Sequence, residues 1–296
     1  MAFVGDVNLD GKILAITGGG SGIHLELAKI ARSKGAKVII ADLKLTEEAT
    51  VEVERDSANL VFLPCDVAKR SELEKIITTS ESVFGDCPDV YVAGAGVFEP
   101  TWSNFWDDTE SDDYKAVQIN VNHPLKLTRI ATRALLGRNK KGVVLIMASM
   151  TGYTGHFSAP LYSATKHALV GFVRSMVDLD RHEGVKVVAI CPGIVKTPLW
   201  LADPERSARF GYQDSIAISA KSVAEAELNL IENGSYQGGT VYEISTAGER
   251  TIGTWNISPP GSSSETPLVG TVIPQEALDR AYGPIWSVLA KERTTD

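Results

Sequence analysis

Three side chains in the middle of the chain have the types and spacing for proton chemistry: Ser149, Tyr162 and Lys166. In Tyr162-Ser-Ala-Thr-Lys166 the phenol and the amine stand four residues apart, so on a helix they share one face. A free phenol ionises near pH 10, roughly three units above neutrality. A nearby cation favours phenolate and brings it toward the range a general acid/base needs. Ser149 closes the apolar run Gly142-Val-Val-Leu-Ile-Met-Ala-Ser149, which reads as a buried strand. A Gly/Ser/Thr-rich stretch follows, and Pro160 then opens a helical pattern, a favoured place for proline. A hydroxyl, a phenol and an ammonium are therefore expected to meet at one strand end.

Alternating strands and helices must position them. Strands are predicted over 12–17, 37–42, 60–66, 90–96 (strand and its turn), 142–149, 185–191 and 239–245. Helical patterns fill the gaps, the longest over roughly 111–136 and 160–182. Ser71 and Glu74 have the spacing of a capping box for the third helix. Such alternation means α/β: a doubly wound parallel sheet of seven strands, Rossmann-type, with ligands outside the carboxyl ends of the strands. Residues 8–246 are read as one dinucleotide-binding and catalytic domain. Residues 247–296 are read as a C-terminal extension: a Pro/Ser-rich linker, then short helices with an apolar stripe of Leu278, Tyr282, Ile285 and Leu289.

At the other end of the site, Thr17-Gly-Gly-Gly-Ser-Gly-Ile23 joins the first strand to the first helix. Glycines let backbone approach a pyrophosphate, and a helix amino end favours its charge. Asp42 ends the second strand, twenty residues after Gly22. A carboxylate there suits the ribose hydroxyls of NAD and repels the 2′-phosphate of NADP. Lys44 beside it keeps NADP possible.

With these residues in view the chain resembles the single-domain short-chain dehydrogenase/reductase family over about residues 8–246. Thr17-Gly18…Gly22-Ile23 resembles the TGxxxGxG loop, with Ser21 inside it. Cys65-Asp66-Val67 resembles the element that touches adenine, and Ala93-Gly94-Ala95-Gly96 the NNAG element. Gln118-Ile-Asn120 matches the helix asparagine, and Tyr162…Lys166 is YxxxK with Ser149 thirteen positions before it. Pro192-Gly193…Val195-Lys-Thr197 matches the segment that holds the nicotinamide carboxamide. The closer flavour resembles 15-hydroxyprostaglandin dehydrogenase-like members, many of them fungal. The resemblance implies hydride transfer between a nicotinamide cofactor and a secondary alcohol or ketone. Tyr162 would be the general acid/base, Lys166 would hold the phenolate and the nicotinamide ribose, and Ser149 the substrate oxygen. Asn120 would kink its helix and hold a relay water. Gly18, Ser21, Gly22, Ile23, Asp42, Asp66, Val67, Gly94, Val195 and Thr197 would line the cofactor. A homodimer or homotetramer paired through the two long helices is implied as well. An NADPH-dependent ketoreductase and a non-catalytic nucleotide-binding scaffold are the alternatives.

Two positions depart from the pattern. His24 stands at the third loop glycine and is expected to turn outward, with a cofactor phosphate contact as the alternative. Ala93 and Gly94 replace two asparagines, which removes side-chain hydrogen bonds but keeps the backbone close to the adenosine.

Composition narrows the partners. The 296 residues carry a net charge of −8 with unclustered basic residues, which argues against nucleic acid and anionic membranes. No apolar run reaches membrane-spanning length and the first residues do not read as a signal peptide, so a cytoplasmic protein is expected. Cys65, Cys87 and Cys191 are far apart and odd in number, which fits a reducing compartment. His123, His156, His167 and His182 show no metal spacing with carboxylates and are read as surface or packing residues; no metal site is expected. Aromatic residues in 101–106 and 195–219, with Tyr153 and Phe157, suggest a sizeable apolar substrate such as a polyketide, terpenoid or lipid alcohol of secondary metabolism.

Overall fold

The structure is a computed structural model that describes residues 3–253 and, beyond them, 276, 277, 280, 283 and 284. The expected linker and apolar stripe of the C-terminal extension lie outside the described residues.

In chain order the first half runs β1 (Ile13–Thr17), α1 (Gly22–Ser33), β2 (Lys37–Asp42), α2 (Glu47–Arg55), β3 (Leu60–Pro64), α3 (Arg70–Phe84) and β4 (Val90–Ala93). A short helix α4 (Lys115–Val117) then passes through a π turn at Gln118–Asn122 into α5 (His123–Gly137). The second half runs β5 (Gly142–Met147), a 3₁₀ turn (Met150–Gly152), α6 (Pro160–Ser175), α7 (Val177–Glu183) and β6 (Val185–Pro192). It continues with β7 (Val195–Lys196), α8 (Pro198–Leu201), α9 (Pro204–Arg209), β8 (Ile218–Ser219), α10 (Ala220–Glu232), β9 (Val241–Ser245) and β10 (Gly248–Thr251).

The main sheet has the order β10-β9-β6-β5-β4-β1-β2-β3. Its strands are parallel except for the β9–β10 pair. Every residue of β1 is buried because helices cover both faces. Leu14 and Ile16 face a core with α1 and α10, while Ala15 faces one with α3, α5 and α6. Strand order reverses between β1 and β4, where Thr17 lies beside Ala93. A crevice at the carboxyl ends is expected there.

Two expectations need correction. The sheet has eight strands, not seven: β10 adds an antiparallel edge, with Gly248 opposite Ser245. Its polar sequence Gly-Glu-Arg-Thr carries no apolar alternation, and it is held by the ladder and by cross-strand Tyr242–Glu249 and Arg250–Glu243 contacts. The third helix does not start with a capping box. It begins at Arg70, Glu74 pairs with Arg70 at 2.9 Å, and Glu72 Oε2 instead accepts from the Asp66 amide at 2.6 Å. The turn after β3 draws the helix start forward and takes the Glu72 carboxylate onto the Asp66 amide.

No helix among the described residues is long and apolar enough to cross a membrane. The three cysteines are buried and free.

Candidate active site

A cavity of about 800 Å³ opens at the carboxyl ends of the parallel strands. It runs from Asp42 past Ser149, Tyr162 and Lys166 to Trp200 and Phe210. Every residue proposed from sequence lines it except Asn120.

The three chemistry-bearing side chains come from two elements. Ser149 leaves β5 in an extended conformation, and its Oγ accepts from the Thr151 amide at 3.2 Å, starting the 3₁₀ turn. Tyr162 and Lys166 lie on the first two turns of α6, with Nζ 5.4 Å from the phenol ring centroid. Lys166 is 3% exposed and its ammonium donates to the Met147 carbonyl at 2.7 Å, which ties α6 to the end of β5. Burial pushes the Tyr162 phenol up to about 12, against a hydrogen bond from Ser149 that lowers it. Burial pulls Lys166 down to about 8. Desolvation thus outweighs the expected lowering of the phenol by lysine: in the protein alone Tyr162 is protonated at neutral pH, ready to donate.

Asn120 sits behind the cavity wall, inside the π turn at Gln118–Asn122. Its amide clasps Val97 from both sides: Oδ1 accepts from Val97 N and Nδ2 donates to Val97 O, each at 2.9 Å. Nδ2 also reaches Thr165 Oγ1 at 3.3 Å. A Cβ on Gly96 would meet Asn120 Oδ1 at 3.4 Å and Lys166 Nζ at 3.8 Å. Asn120 and Lys166 therefore flank the same glycine.

The cofactor end is built from backbone. Gly18 has φ +69°, and a Cβ there would lie 2.7 Å from the Ala95 backbone. Asp42 Oδ2 accepts from Gly20 N at 2.9 Å and Oδ1 from Leu43 N at 2.7 Å, so the carboxylate is fixed at the tip of β2. Thr46 Oγ1 donates to Gly20 O at 2.8 Å and also caps α2. Thr17 Oγ1 gathers the β4 turn, accepting from Gly94 N at 3.0 Å and contacting His123 Nε2 at 2.9 Å. His123 is fully buried and held down to about 3 by desolvation, hence neutral. Asp66 Oδ1 accepts from Ala68 N at 3.1 Å, which orders the turn that presents Asp66 and Val67. The amino end of α1, with no acidic residue in its first turn, opens on the same cavity beside Ser21, Gly22 and Ile23. Bare backbone, a helix amino end and a fixed carboxylate fit a dinucleotide, with Val195 and Thr197 on the facing wall.

His24 does not turn outward. It is 5% exposed, and its Nε2 lies 3.2 Å from Glu227 Oε1 on α10, a carboxylate with no exposure. A Cβ on Gly94 would lie 2.4 Å from the His24 ring. The imidazole fills the space that the missing Gly94 side chain leaves, so the two departures from the family pattern are one structural exchange. Glu227 is a residue that sequence reasoning missed: its position on a long amphipathic helix carries no local signal.

The apolar wall is less uniform than expected. Leu199, Trp200, Phe210 and Tyr212 line the cavity, as does Trp102. Phe98 was not foreseen; it contacts Tyr162, Phe210 and Trp200 at centroid distances of 4.8, 4.7 and 5.2 Å. Tyr153 and Phe157 lie elsewhere: Tyr153 donates to Glu243 at 2.5 Å, and Phe157 stacks edgewise on Trp106. A buried carboxylate on β9 draws the tyrosine away from the cavity. Of the histidines, only His24 and His156 line it, and His156 is kept below its ordinary pKa by burial.

The family model for short chain dehydrogenase matches residues 12–207. The chain is a member of that family. Short-chain dehydrogenase reductase 3a of Arabidopsis thaliana is 32% identical over 238 residues, 77% of this chain and 91% of that protein. The mitochondrial borneol dehydrogenase of Lavandula x intermedia is 29% identical, with 77% of this chain and 86% of that protein covered. The NADPH-dependent 3-quinuclidinone reductase of Rhodotorula rubra shares the fold, with TM-score 0.68 and 24% identity over 80% of this chain and 91% of that one. As a short-chain dehydrogenase the protein is an NAD(P)-dependent oxidoreductase acting on a small molecule, and the scaffold reading falls away.

Proposed function

We propose that the protein transfers hydride between NAD and a secondary alcohol or ketone of sizeable apolar character, with Tyr162 as general acid/base. The observation that carries this is the continuity of one cavity from the glycine loop and Asp42, past Ser149, Tyr162 and Lys166, to an aromatic wall. When bound, the nicotinamide cofactor supplies the hydride donor or acceptor. Ser149 Oγ orients the substrate oxygen and stabilises charge developing on it. In reduction the Tyr162 phenol protonates that oxygen; in oxidation its phenolate accepts the proton. Lys166 keeps positive charge beside the ring and favours the phenolate. Asn120 fixes the Val97 turn and the α6 contact at Thr165, and by family resemblance holds a relay water. The borneol dehydrogenase among the relatives agrees with a bulky alicyclic alcohol.

Asp42 favours the unphosphorylated cofactor, because its carboxylate is held at the β2 tip by two amides. The NADPH-dependent quinuclidinone reductase neighbour motivates a direct comparison of the two reduced cofactors. Pairing through α5 and α6 into a homodimer or homotetramer is tested by light scattering. Three free buried cysteines agree with a reducing compartment, and we place the enzyme in the cytoplasm, in secondary metabolism; imaging a tagged chain tests the location. The central test is NADH fluorescence quenching, then a screen of apolar alcohols and ketones with the parent and Tyr162→Phe. Unimpaired turnover by Tyr162→Phe removes the proposed role.

A further inference from the structure

Helix α6 begins with an unusual amino end. Its N-cap is Ala159, which has no side-chain acceptor, and Pro160 supplies no N–H. The amide of Tyr162, in the first turn, is one of the donors a helix start leaves without an intrahelical partner. Glu99 supplies the acceptor from outside the helix: its Oε1 takes the Tyr162 N–H at 2.8 Å. Glu99 is 9% exposed, has φ +37° and lies outside the cavity lining. Its segment is held on both sides. Val97 is clasped by Asn120, and the Pro100 carbonyl accepts from Ser103 N and Asn104 Nδ2, both at 3.0 Å. Phe98, the preceding residue, sets its ring edge to the Tyr162 ring at 4.8 Å. Two consecutive residues therefore grip Tyr162, one by its ring and one by its backbone.

We propose that Glu99 is a positioning residue for Tyr162, a carboxylate cap that fixes the first turn of α6 and so the height of the phenol above the substrate oxygen. This rests on Tyr162 being the proton-transfer residue. The charged groups facing Glu99 are Arg209 of α9 and Asp107 of the segment before α4. Burial pushes the Glu99 carboxyl up to about 7, opposed by the Tyr162 amide and the Arg209 guanidinium and assisted by Asp107. Above that value the cap is an anion at a helix start, a hydrogen bond roughly twice as strong as its neutral counterpart. Below it the cap is neutral and the first turn is held less firmly. Arg209 Nε is buried without a hydrogen-bond partner, so a cation in the segment next to Phe210 faces the same carboxylate.

The test compares the parent, Glu99→Ala and Glu99→Gln in kcat between pH 6 and 9, with the NADH dissociation constant and thermal midpoint of each. Glu99→Ala is expected to lower kcat about tenfold or more, since small misplacements of reacting groups have costs of that order. Its NADH affinity stays within about twofold of the parent, because Glu99 does not line the cavity. Glu99→Gln keeps an acceptor for the Tyr162 amide and recovers most of kcat at pH 8, while its profile loses the parent's fall below pH 7. A Glu99→Ala kcat within twofold of the parent overturns the proposal, as does a Glu99→Gln variant as impaired as Glu99→Ala. Should Glu99→Ala not fold, the Glu99→Gln profile decides alone: an unchanged inflection near pH 7 counts against the proposal. Full activity of Tyr162→Phe is the separate result that removes the underlying reading of Tyr162 and leaves the Glu99 variants to be judged on their own.

Discussion

The two halves of the cavity are made differently. At the proposed cofactor end the wall is backbone: a glycine loop, the β4 turn and a helix amino end, tied by Asp42, Thr46 and Thr17. At the substrate end side chains make the wall: Phe98, Trp200, Phe210 and Tyr212 pack on one another across short helices. Backbone hydrogen bonds fix geometry whatever the ligand, so the first half suits one cofactor. Aromatic contacts are non-directional by comparison and depend on which rings a sequence places there, so on the proposed reading the second half sets what is transformed. Tyr162 stands where they meet, its helix tied to β5 by Lys166 and to the aromatic segment by Glu99.

Tyr162→Phe should separate the halves most sharply. Turnover is expected to fall about 10²–10⁴-fold, the usual contribution of a positioned acid/base, while NADH quenching is retained. Loss of both would mean that the tyrosine supports the cofactor end as well. The next largest effect is expected from Gly94→Asn, which drives a side chain into the His24 ring. Cofactor affinity should drop at least about tenfold, an overpacking cost of roughly 1–3 kcal/mol. Adding His24→Gly should restore most of it; a double variant no better than Gly94→Asn shows the two positions to be independent. Asp42→Ser should move the ratio of NADPH to NADH dissociation constants about tenfold toward the phosphorylated form, with the alcohol KM unchanged. A ratio that stays put places cofactor choice elsewhere.

The smallest expected effect is a pH dependence of stability. Burial holds Lys166 at about 8, below its ordinary 10.5. Between those values the unfolded chain binds the proton that the folded chain has released, so this group makes stability rise with pH across that window. Tyr162 is held up at about 12 and has the opposite sign, lowering stability only above pH 10. Chemical denaturation from pH 7.5 to 10 should show a rise in the parent that is smaller by about 1–3 kcal/mol in Lys166→Met. Equal slopes would mean that lysine keeps its charge through the Met147 carbonyl.

Much of the site was legible because its chemistry is written in short intervals. A glycine loop between a strand and a helix, a carboxylate at the next strand end and a tyrosine–lysine pair four apart are local patterns, and the strand ends that carry them converge by the rules of parallel sheets. The side on which His24 lies was not legible. Its place depends on Gly94, seventy residues later, and on Glu227, on the last long helix of the sheet. The withdrawal of Tyr153 to Glu243 is of the same kind. So is β10, whose polar residues become a strand only because β9 presents an open edge.

What the amino-acid sequence by itself determined is the order of elements, the switch point and the identity of the groups that converge there. Apolar periodicity and glycine placement act within a few residues and need no partner to be read. What only the tertiary structure decided is how firmly those groups are held and which rings face the substrate. Burial, the His24–Glu227 contact and the capping of α6 by Glu99 each join residues far apart in the chain, and their strength depends on water that only the assembled fold excludes.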